Sequence, residues 1–482
     1  MAKDALSILT LVERNAKKFP NSIAVTYRQS LNYYTITNKD LFNRVESLAN
    51  VLHNLNVSRS NIILIGTNTP EWIYSFLAIL AVGANIVPLD NQSLPAEINN
   101  VITSVQPTLI IYDQFISEEV CCFSKTQSIK SLSFQEINDI LNSKTTPKNQ
   151  HHSSEGKIIL HTSGTLDKPK AVVLTQANLL ANCQLHQQAF NLTKQDSFFT
   201  IIPLSHIYAL DICLVCSIYL GASIILETDP LAIIQNMQIT QPTVFVGVPL
   251  LYERIRKRIN SKVHFTNLFG PKCRLATSAG SNLLTDIYLA FQQIGLTIYQ
   301  GYGMTETSPV IALNDFKYNN PYSVGKVLNN QTVIIDDIND SGVGKIKVKG
   351  PNVFTDYYQN KTATKKAFDD DGFFDTGDIG YLDGQQYLHI VGRNKRMIVM
   401  SNSRKIYPEE IERIYLQEIG ITTCRVSLKG KYLHADCVCN LSNQELASVV
   451  AKINNQLQTY RQIKTFTGCA PVEDDRKVRV KS

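Results

Sequence analysis

Short apolar runs separated by longer amphipathic stretches set the rhythm of this chain. Asn61-Ile62-Ile63-Leu64-Ile65, Thr108-Leu109-Ile110-Ile111-Tyr112 and Thr243-Val244-Phe245-Val246 are continuous rather than alternating, and rich in β-branched residues. Runs of this length and composition predict strands buried on both faces. Helical periodicities between such runs, over the first three-quarters or so of the chain, predict an α/β architecture of parallel sheets covered by helices. Residues 336–347 break the rhythm and predict a small β section with a Ser341-Gly342 turn. Near Arg393 a second unit begins, with a helix from Pro408, a β-like segment at 434–439 and a helix from Asn443 to about Gln458. The expected organisation is a large N-terminal domain over 1–392 and a small α+β C-terminal domain over 393–482. A chain of 482 residues is too long for one ordinary core.

Residues 207–226 are nearly continuous apolar sequence, long enough in principle to span a bilayer. Asp211, Gly221 and the β-branched end at 222–226 instead predict a buried helix followed by a strand. Peripheral membrane contact stays open for a lipid substrate. At the N-terminus, Lys3 and Asp4 precede a short apolar stretch followed by Glu13 and Lys17-Lys18, the pattern of an amphipathic helix rather than a signal peptide.

Composition narrows the class. The chain is 44% hydrophobic and 18% charged, as soluble globular proteins are. A formal charge of +6, scattered and without a basic stripe, argues against nucleic-acid binding and suits small anionic substrates. The ten cysteines have no regular framework, and the C-x-x-C at Cys213 and Cys216 lies in an apolar run with no second pair to complete a zinc set. Buried free thiols and a reducing, cytoplasmic setting are expected. His151-His152 belong to a polar linker over 144–156 and read as solvated, not as metal ligands.

Three clusters carry candidate chemistry. The apolar residues 158–160 lead into His161-Thr162-Ser163-Gly164-Thr165-Leu166-Asp167-Lys168-Pro169-Lys170. Backbone amides, short hydroxyls and lysines there suit one anionic guest, most simply a polyphosphate. The spacing is not that of the P-loop. In Tyr299-Gln300-Gly301-Tyr302-Gly303-Met304-Thr305-Glu306-Thr307, bare glycines at 301 and 303 would let the backbone approach a flat ligand, and Tyr302 offers a ring face. Thr305 can donate to a phosphate, and Glu306 is a hard oxygen ligand suited to magnesium. In Gly372-Phe373-Phe374-Asp375-Thr376-Gly377-Asp378, a glycine-flanked turn would let Asp378 accept from ribose hydroxyls.

Residues 162–170 resemble T-S-G-T-T-G-x-P-K, 302–306 match Y-G-x-T-E, and 376–378 match T-G-D. Residues 392–396 resemble G-R-x-K-[D/K], 407–412 resemble the helix start that follows it, and 77–84 with 87–90 resemble an earlier signature. On these motifs, from about Leu9 to its last few residues, the chain is identified as a member of the adenylate-forming superfamily of acyl-CoA synthetases, firefly-type luciferases and peptide-synthetase adenylation domains. The resemblance implies that a carboxylic acid and ATP form acyl-AMP and pyrophosphate, and that the acyl group then passes to the thiol of coenzyme A. It implies that Thr162, Ser163, Gly164, Thr165 and Lys170 surround the β- and γ-phosphates, and that Thr305 meets the α-phosphate. It further implies that Glu306 with Thr165 holds Mg2+, that Tyr302 between Gly301 and Gly303 stacks on adenine, and that Asp378 and Arg393 bind ribose.

The same resemblance makes 203–209 an acid-binding motif in which His206 orients the carboxylate. It makes Ser278-Ala279-Gly280-Ser281 the turn beside the adenine and acyl pocket, with Asn282 where proline is usual. Arg476-Lys477-Val478-Arg479 resembles R-K-[VI]-x-R, so Lys477 is the expected catalytic lysine of the first half-reaction, Lys481 falling too late in the pattern. A mobile C-terminal domain would bring it in and remove it again. Residues 245–253 resemble long-chain members, and a fatty acid is the expected substrate. Leu166, Asp167, Ala171, Arg396 and Ser403 depart from the pattern, Ser403 standing where a glycine lets pantetheine pass. Two further readings stay open: a ligase that loads a carrier-protein pantetheine, and a catalytically silent relative that binds nucleotide or lipid.

Overall fold

Continuous apolar runs become interior strands. Asn61–Ile65, Leu109–Tyr112 and Val244–Gly247 are each flanked by strands on both sides and buried along their length. The computed structural model describes residues 7–30, 32–114, 129–143, 153–162, 170–257, 264–339, 342–399, 405–430 and 432–470. One nine-stranded sheet runs in the order Lys326–Val327, Ala312–Leu313, Ile298–Tyr302, Leu275–Ser278, Val244–Gly247, Ser197–Thr200, Ser223–Leu226, Ile23–Gln29 and Asn32–Thr37. A seven-stranded sheet runs Asp356–Tyr357, Ala171–Thr175, Lys157–His161, Asn85–Leu89, Asn61–Ile65, Leu109–Tyr112 and Lys130–Ser133. Both have parallel interiors as expected, with antiparallel strands added at one or both edges.

The helix Pro70–Ala81 is apolar all round, and only Glu71 escapes burial, because it packs in the main core with residues of both sheets. Thr69 caps it by accepting from the Trp72 amide, and Pro70 stands in the first turn, where its missing N–H costs nothing. The helix Gln176–Phe190 is different, since its buried face is partly polar. Gln176 accepts from the Ile8 amide at 2.9 Å, Asn178 donates to the Pro351 carbonyl at 2.7 Å, and Asn182 donates to the Ser308 carbonyl. His186 lies one turn further on, its Nδ1 3.0 Å from the Asn182 carbonyl.

The apolar stretch from Ile207 is a buried helix and strand with one irregularity: a short helix Ile207–Ala209, a π-helix Leu210–Val215, a helix Cys216–Leu220 and the strand Ser223–Leu226. Asp211, in the wide turn, meets the Cys183 thiol at 3.8 Å, and burial pushes its carboxyl well upward. Cys213 and Cys216 are buried free thiols, as expected. Among the described residues, no helix is long and apolar enough to cross a membrane.

After these sheets comes an antiparallel sheet of Thr332–Asp336, Gly344–Lys349, Phe374–Leu382 and Leu388–Arg393. Asp378 therefore sits in a strand paired with Arg393, not in the turn expected from its glycines; positive φ at Gly377 (72°) and a register shift at Ile379/Gly380 supply the bend. A small C-terminal part packs the helices Pro408–Tyr415 and Asn443–Asn454 on the strands Ile421–Lys429, Tyr432–Cys439 and Ile463–Cys469. The second helix stops short of Gln458 because the Asn454 side chain turns to bond the Ile463 backbone, both bonds being 2.8 Å. Gly392 lies against the Glu409 side chain on the first of these helices, whose carboxylate would have to shift to admit a Cβ.

Burial holds the His186 imidazole down to about 4, against 6.5 when free. Between those pH values the unfolded chain takes up a proton that the native protein refuses, so stability drops on acidification. At pH 5 this one group costs roughly 2 kcal/mol. His186→Gln should lose less stability between pH 7 and pH 5 in urea unfolding; an equal loss in both proteins would show that the native ring is already protonated.

Candidate active site

A pair of antiparallel strands brackets residues 163–169. The strands are Lys157–His161 and Ala171–Thr175, and the Thr162 amide donates to the Lys170 carbonyl at 2.9 Å. The two expected phosphate-binding residues on either side, Thr162 and Lys170, are thus held together; Ser163, Gly164 and Thr165 lie outside the described residues, as do Asp167, Ser403, Lys477 and Lys481. His161 closes the first strand with neither ring nitrogen hydrogen-bonded among the described residues, and burial keeps it neutral down to about 4.

Lys170 reaches Glu306 through a residue that no motif announced. Its ammonium lies 4.6 Å from the centre of the Tyr357 ring, and the Tyr357 hydroxyl donates to Glu306 Oε1 at 2.9 Å. Burial pushes the Glu306 carboxyl above its ordinary range, against hydrogen bonds from its own amide and Tyr357 and the charges of Lys170 and Arg393. Nothing in the spacing of Tyr357, 51 residues from Glu306, could have signalled the contact.

The same charges lead to the third motif. Tyr302 donates to Asp378 Oδ2 at 2.7 Å, and Arg393 Nε lies 3.2 Å from Asp378 Oδ1. Burial raises the Asp378 carboxyl, while Arg393 and the Tyr302 hydroxyl oppose it. Contacts thus join Lys170, Tyr357 and Glu306 in one set and Tyr302, Asp378 and Arg393 in another, and the Arg393 charge acts on both carboxylates. Thr305 sits half-buried in the 3-10 turn Thr305–Thr307 beside Glu306. Gly303 has a different role from the one expected: a Cβ there would lie 1.9 Å from the Pro309 carbonyl oxygen, so it makes room for the protein's own backbone rather than for a ligand. At Gly301 a Cβ would make only ordinary van der Waals contact, 3.7 Å from the Ala312 carbonyl oxygen, so packing does not require a glycine there. Gly280 needs its left-handed φ of 89°, and Ser281 beside it is exposed.

A second pair stands where the two large sheets meet. His206 Nε2, on the loop after Ser197–Thr200, lies 3.2 Å from Oδ2 of Asp90, the residue after Asn85–Leu89. Burial would raise the Asp90 carboxyl, but the His206 hydrogen bond and the Gln92 amide bring it below its usual value. Tyr208 ties the same segment to the strand Leu275–Ser278, its hydroxyl 2.8 Å from Thr277 Oγ1, and Tyr252 donates to the Thr277 carbonyl at 2.7 Å.

The donor set suits a magnesium polyphosphate. Among the described residues no group of three or more His, Cys, Asp or Glu could cage a metal. A single hard carboxylate beside two cations matches the way magnesium shares its shell with phosphates and water.

The AMP-binding enzyme family profile matches residues 12–358. The oxalate–CoA ligase of Arabidopsis thaliana is 28% identical over 418 residues, which cover 81% of this chain and 79% of that protein. The long-chain-fatty-acid–CoA ligase FadD15 of Mycobacterium bovis is 25% identical over 426 residues, covering 74% and 69%. In fold, the chain is similar to the o-succinylbenzoate CoA synthetase of Bacillus subtilis solved with its acyl-adenylate intermediate, with a TM-score of 0.83 over 95% of this chain and 94% of that one at 22% identity.

Magnesium-nucleotide affinity should fall on acidification as Glu306 takes a proton, at a pH above that of an exposed glutamate (about 4.3). Tyr357→Phe removes a bond that favours the carboxylate and should move this midpoint higher. Glu306→Gln should bind weakly at every pH. Titration calorimetry across pH checks this, and an unchanged pH dependence in Glu306→Gln would contradict the assignment.

Proposed function

The chain belongs to the AMP-binding enzyme family, and from that membership we propose that it activates a monocarboxylic acid with an apolar tail, of fatty-acid type, as an acyl-adenylate and then passes the acyl group to coenzyme A. It is an AMP-forming acid–CoA ligase. In the first step a carboxylate oxygen bonds to the α-phosphorus of ATP as the bond to the β-phosphate oxygen breaks and pyrophosphate leaves. In the second, the thiolate bonds to the acyl carbon and AMP leaves. Both steps ask the protein mainly to hold anions in line and to balance developing charge.

Thr162, Ser163, Gly164, Thr165 and Lys170 would hold the outer phosphates, Thr305 the α-phosphate, and Tyr302, Gly301, Gly280, Ser281, Asp378 and Arg393 the nucleoside. Glu306, with Thr165, would hold Mg2+, which screens phosphoryl charge when bound. His206 would orient the acid. The domains 1–392 and 393–482 are taken as the moving units, with Lys477 delivered for the first step.

One observation supports an apolar tail. Residues 203–215, 244–252, 275–284 and 298–313, joined around Tyr208, Thr277 and Tyr252, contain no lysine or arginine. The second carboxylate of a short diacid such as oxalate would find no permanent cation on these segments, and an unpaired charge there is costly. An aliphatic chain meets no such penalty.

Pyrophosphate release with ATP and a series of acids, without thiol, tests this reading. Straight-chain fatty acids should exceed oxalate and malonate in kcat/KM by tenfold or more, about the discrimination such pockets achieve. Turnover of the diacids alone would reject the fatty assignment. Coenzyme A and a holo carrier protein, offered in turn, then identify the acceptor.

Lys477→Ala should slow the first step by about a hundredfold or more, the typical cost of one such electrostatic contact. Thioester formation from preformed acyl-AMP should be nearly normal. Equal loss in both steps, or a larger effect from Lys481→Ala, would remove Lys477 from its role.

A further inference from the structure

We propose that Asp90 is a positioning residue for the incoming acid: it fixes the His206 ring so that Nδ1 faces the substrate carboxylate. The inference rests on the reading of the chain as an acid-activating enzyme and names a residue to which no role has so far been given.

The geometry is that of a base and its orienter. Among the described residues each Asp90 carboxylate oxygen has one partner: Oδ1 accepts from the Gln92 amide at 2.8 Å, and Oδ2 lies 3.2 Å from His206 Nε2. The Asp90 carbonyl also accepts from the Ser93 amide at 3.0 Å, so the carboxylate is anchored by its own turn. The His206 backbone is equally constrained. Its amide donates to the Pro203 carbonyl at 3.0 Å, and its carbonyl accepts from the Leu210 amide at 2.9 Å. Asn68 clamps the preceding loop, donating to the Ile202 carbonyl at 3.0 Å and accepting from the Leu204 amide at 2.8 Å. Only side-chain rotation is left to the ring, and Asp90 restrains that.

An anion accepts hydrogen bonds and donates none. Asp90 therefore places the proton of this contact on Nε2 and leaves Nδ1 as the nitrogen that meets a ligand. Because a substrate carboxylate also only accepts, Nδ1 must carry a second proton to donate to it, and the Asp90 carboxylate behind the ring favours that doubly protonated form. The ring is 40% exposed on its side chain and Asp90 27%, so the histidine is the more accessible of the two. Residues 203–215, 244–252, 275–284 and 298–313 carry no lysine or arginine, so His206 is the basic side chain these segments offer to a carboxylate. Behind it, Asp90 faces the ring rather than the acid, and its charge is engaged by the Gln92 amide and Nε2. Asp90 follows a strand of the seven-stranded sheet and His206 a strand of the nine-stranded one, so the contact bridges the two.

The test is steady-state pyrophosphate release by full-length Asp90→Asn, Asp90→Glu, His206→Gln and the Asp90→Asn/His206→Gln double variant, with acid and ATP varied separately. Asp90→Asn should raise KM for the acid about tenfold, the scale of one charge-assisted hydrogen bond, and leave KM for ATP unchanged. Asp90→Glu should recover part of that loss, and the double variant should be no worse than His206→Gln alone. Additive effects, equal changes in both KM values, or an unaltered acid KM would overturn the proposal. Should the wild-type protein release no pyrophosphate with any acid, the functional reading fails on its own. Nitrogen NMR of the His206 ring during titration with octanoate still decides the inference: Nδ1 should respond in the wild type and much less in Asp90→Asn, and identical responses would refute it.

Discussion

Buried backbone carbonyls in the turn that carries Glu306 are the constraint on which the site depends. The turn is wedged among helices and sheets, where each carbonyl without a donor would cost about 1–3 kcal/mol. The protein supplies donors from three directions. Phe354 gives its amide to the Glu306 carbonyl, Asn352 bonds the carbonyls of Thr307 and Val310, Asn182 bonds that of Ser308, and Gln331 also reaches Val310. Glu306 is therefore presented by a rigid seat, and Gly303 is bare so that the seat can close.

That seat explains what could be read from the sequence and what could not. Continuous apolar runs announced the interior strands because burial on both faces leaves no alternation, and short motifs announced Lys170, Tyr302, Glu306 and Asp378. Asn178, Asn182 and His186, spaced like the solvated face of a helix, gave no sign that they point inward, because their partners lie far away in sequence. Tyr357 escaped for the same reason, and Asp90, though inside a recognised signature, gave no sign that His206 is its partner. The glycines around Asp378 suggested a turn, whereas the structure uses Gly377 to bend a strand. Local chemistry is visible in a sequence; the other half of a long-range contact is not.

Arg396, one of the departures from the family pattern, shows how such a position can be accommodated. It is bound by Glu409 at 3.1 Å and by Glu412 at 2.5 Å, and Glu412 also accepts from the Val426 amide at 2.6 Å. The guanidinium thus joins the start of the small C-terminal part to its first helix, and Arg413 on that helix reaches the Ile390 carbonyl of the preceding sheet at 3.2 Å. The paired, partly buried Arg396 holds the smaller part together at its start, while the Arg413 bond ties that part to the sheet before it. Rotation about the junction would keep the Arg396 contacts, which lie within the smaller part, and break that of Arg413.

The proposed reaction begins with attack of a substrate carboxylate oxygen on the α-phosphorus of ATP at this site. It is tested most directly by supplying a fatty acid labelled with heavy oxygen in its carboxyl group, together with ATP, magnesium and coenzyme A, and weighing the products by mass spectrometry. AMP should carry one heavy oxygen and pyrophosphate none. Label in pyrophosphate or inorganic phosphate, or unlabelled AMP alongside thioester, would contradict that reaction.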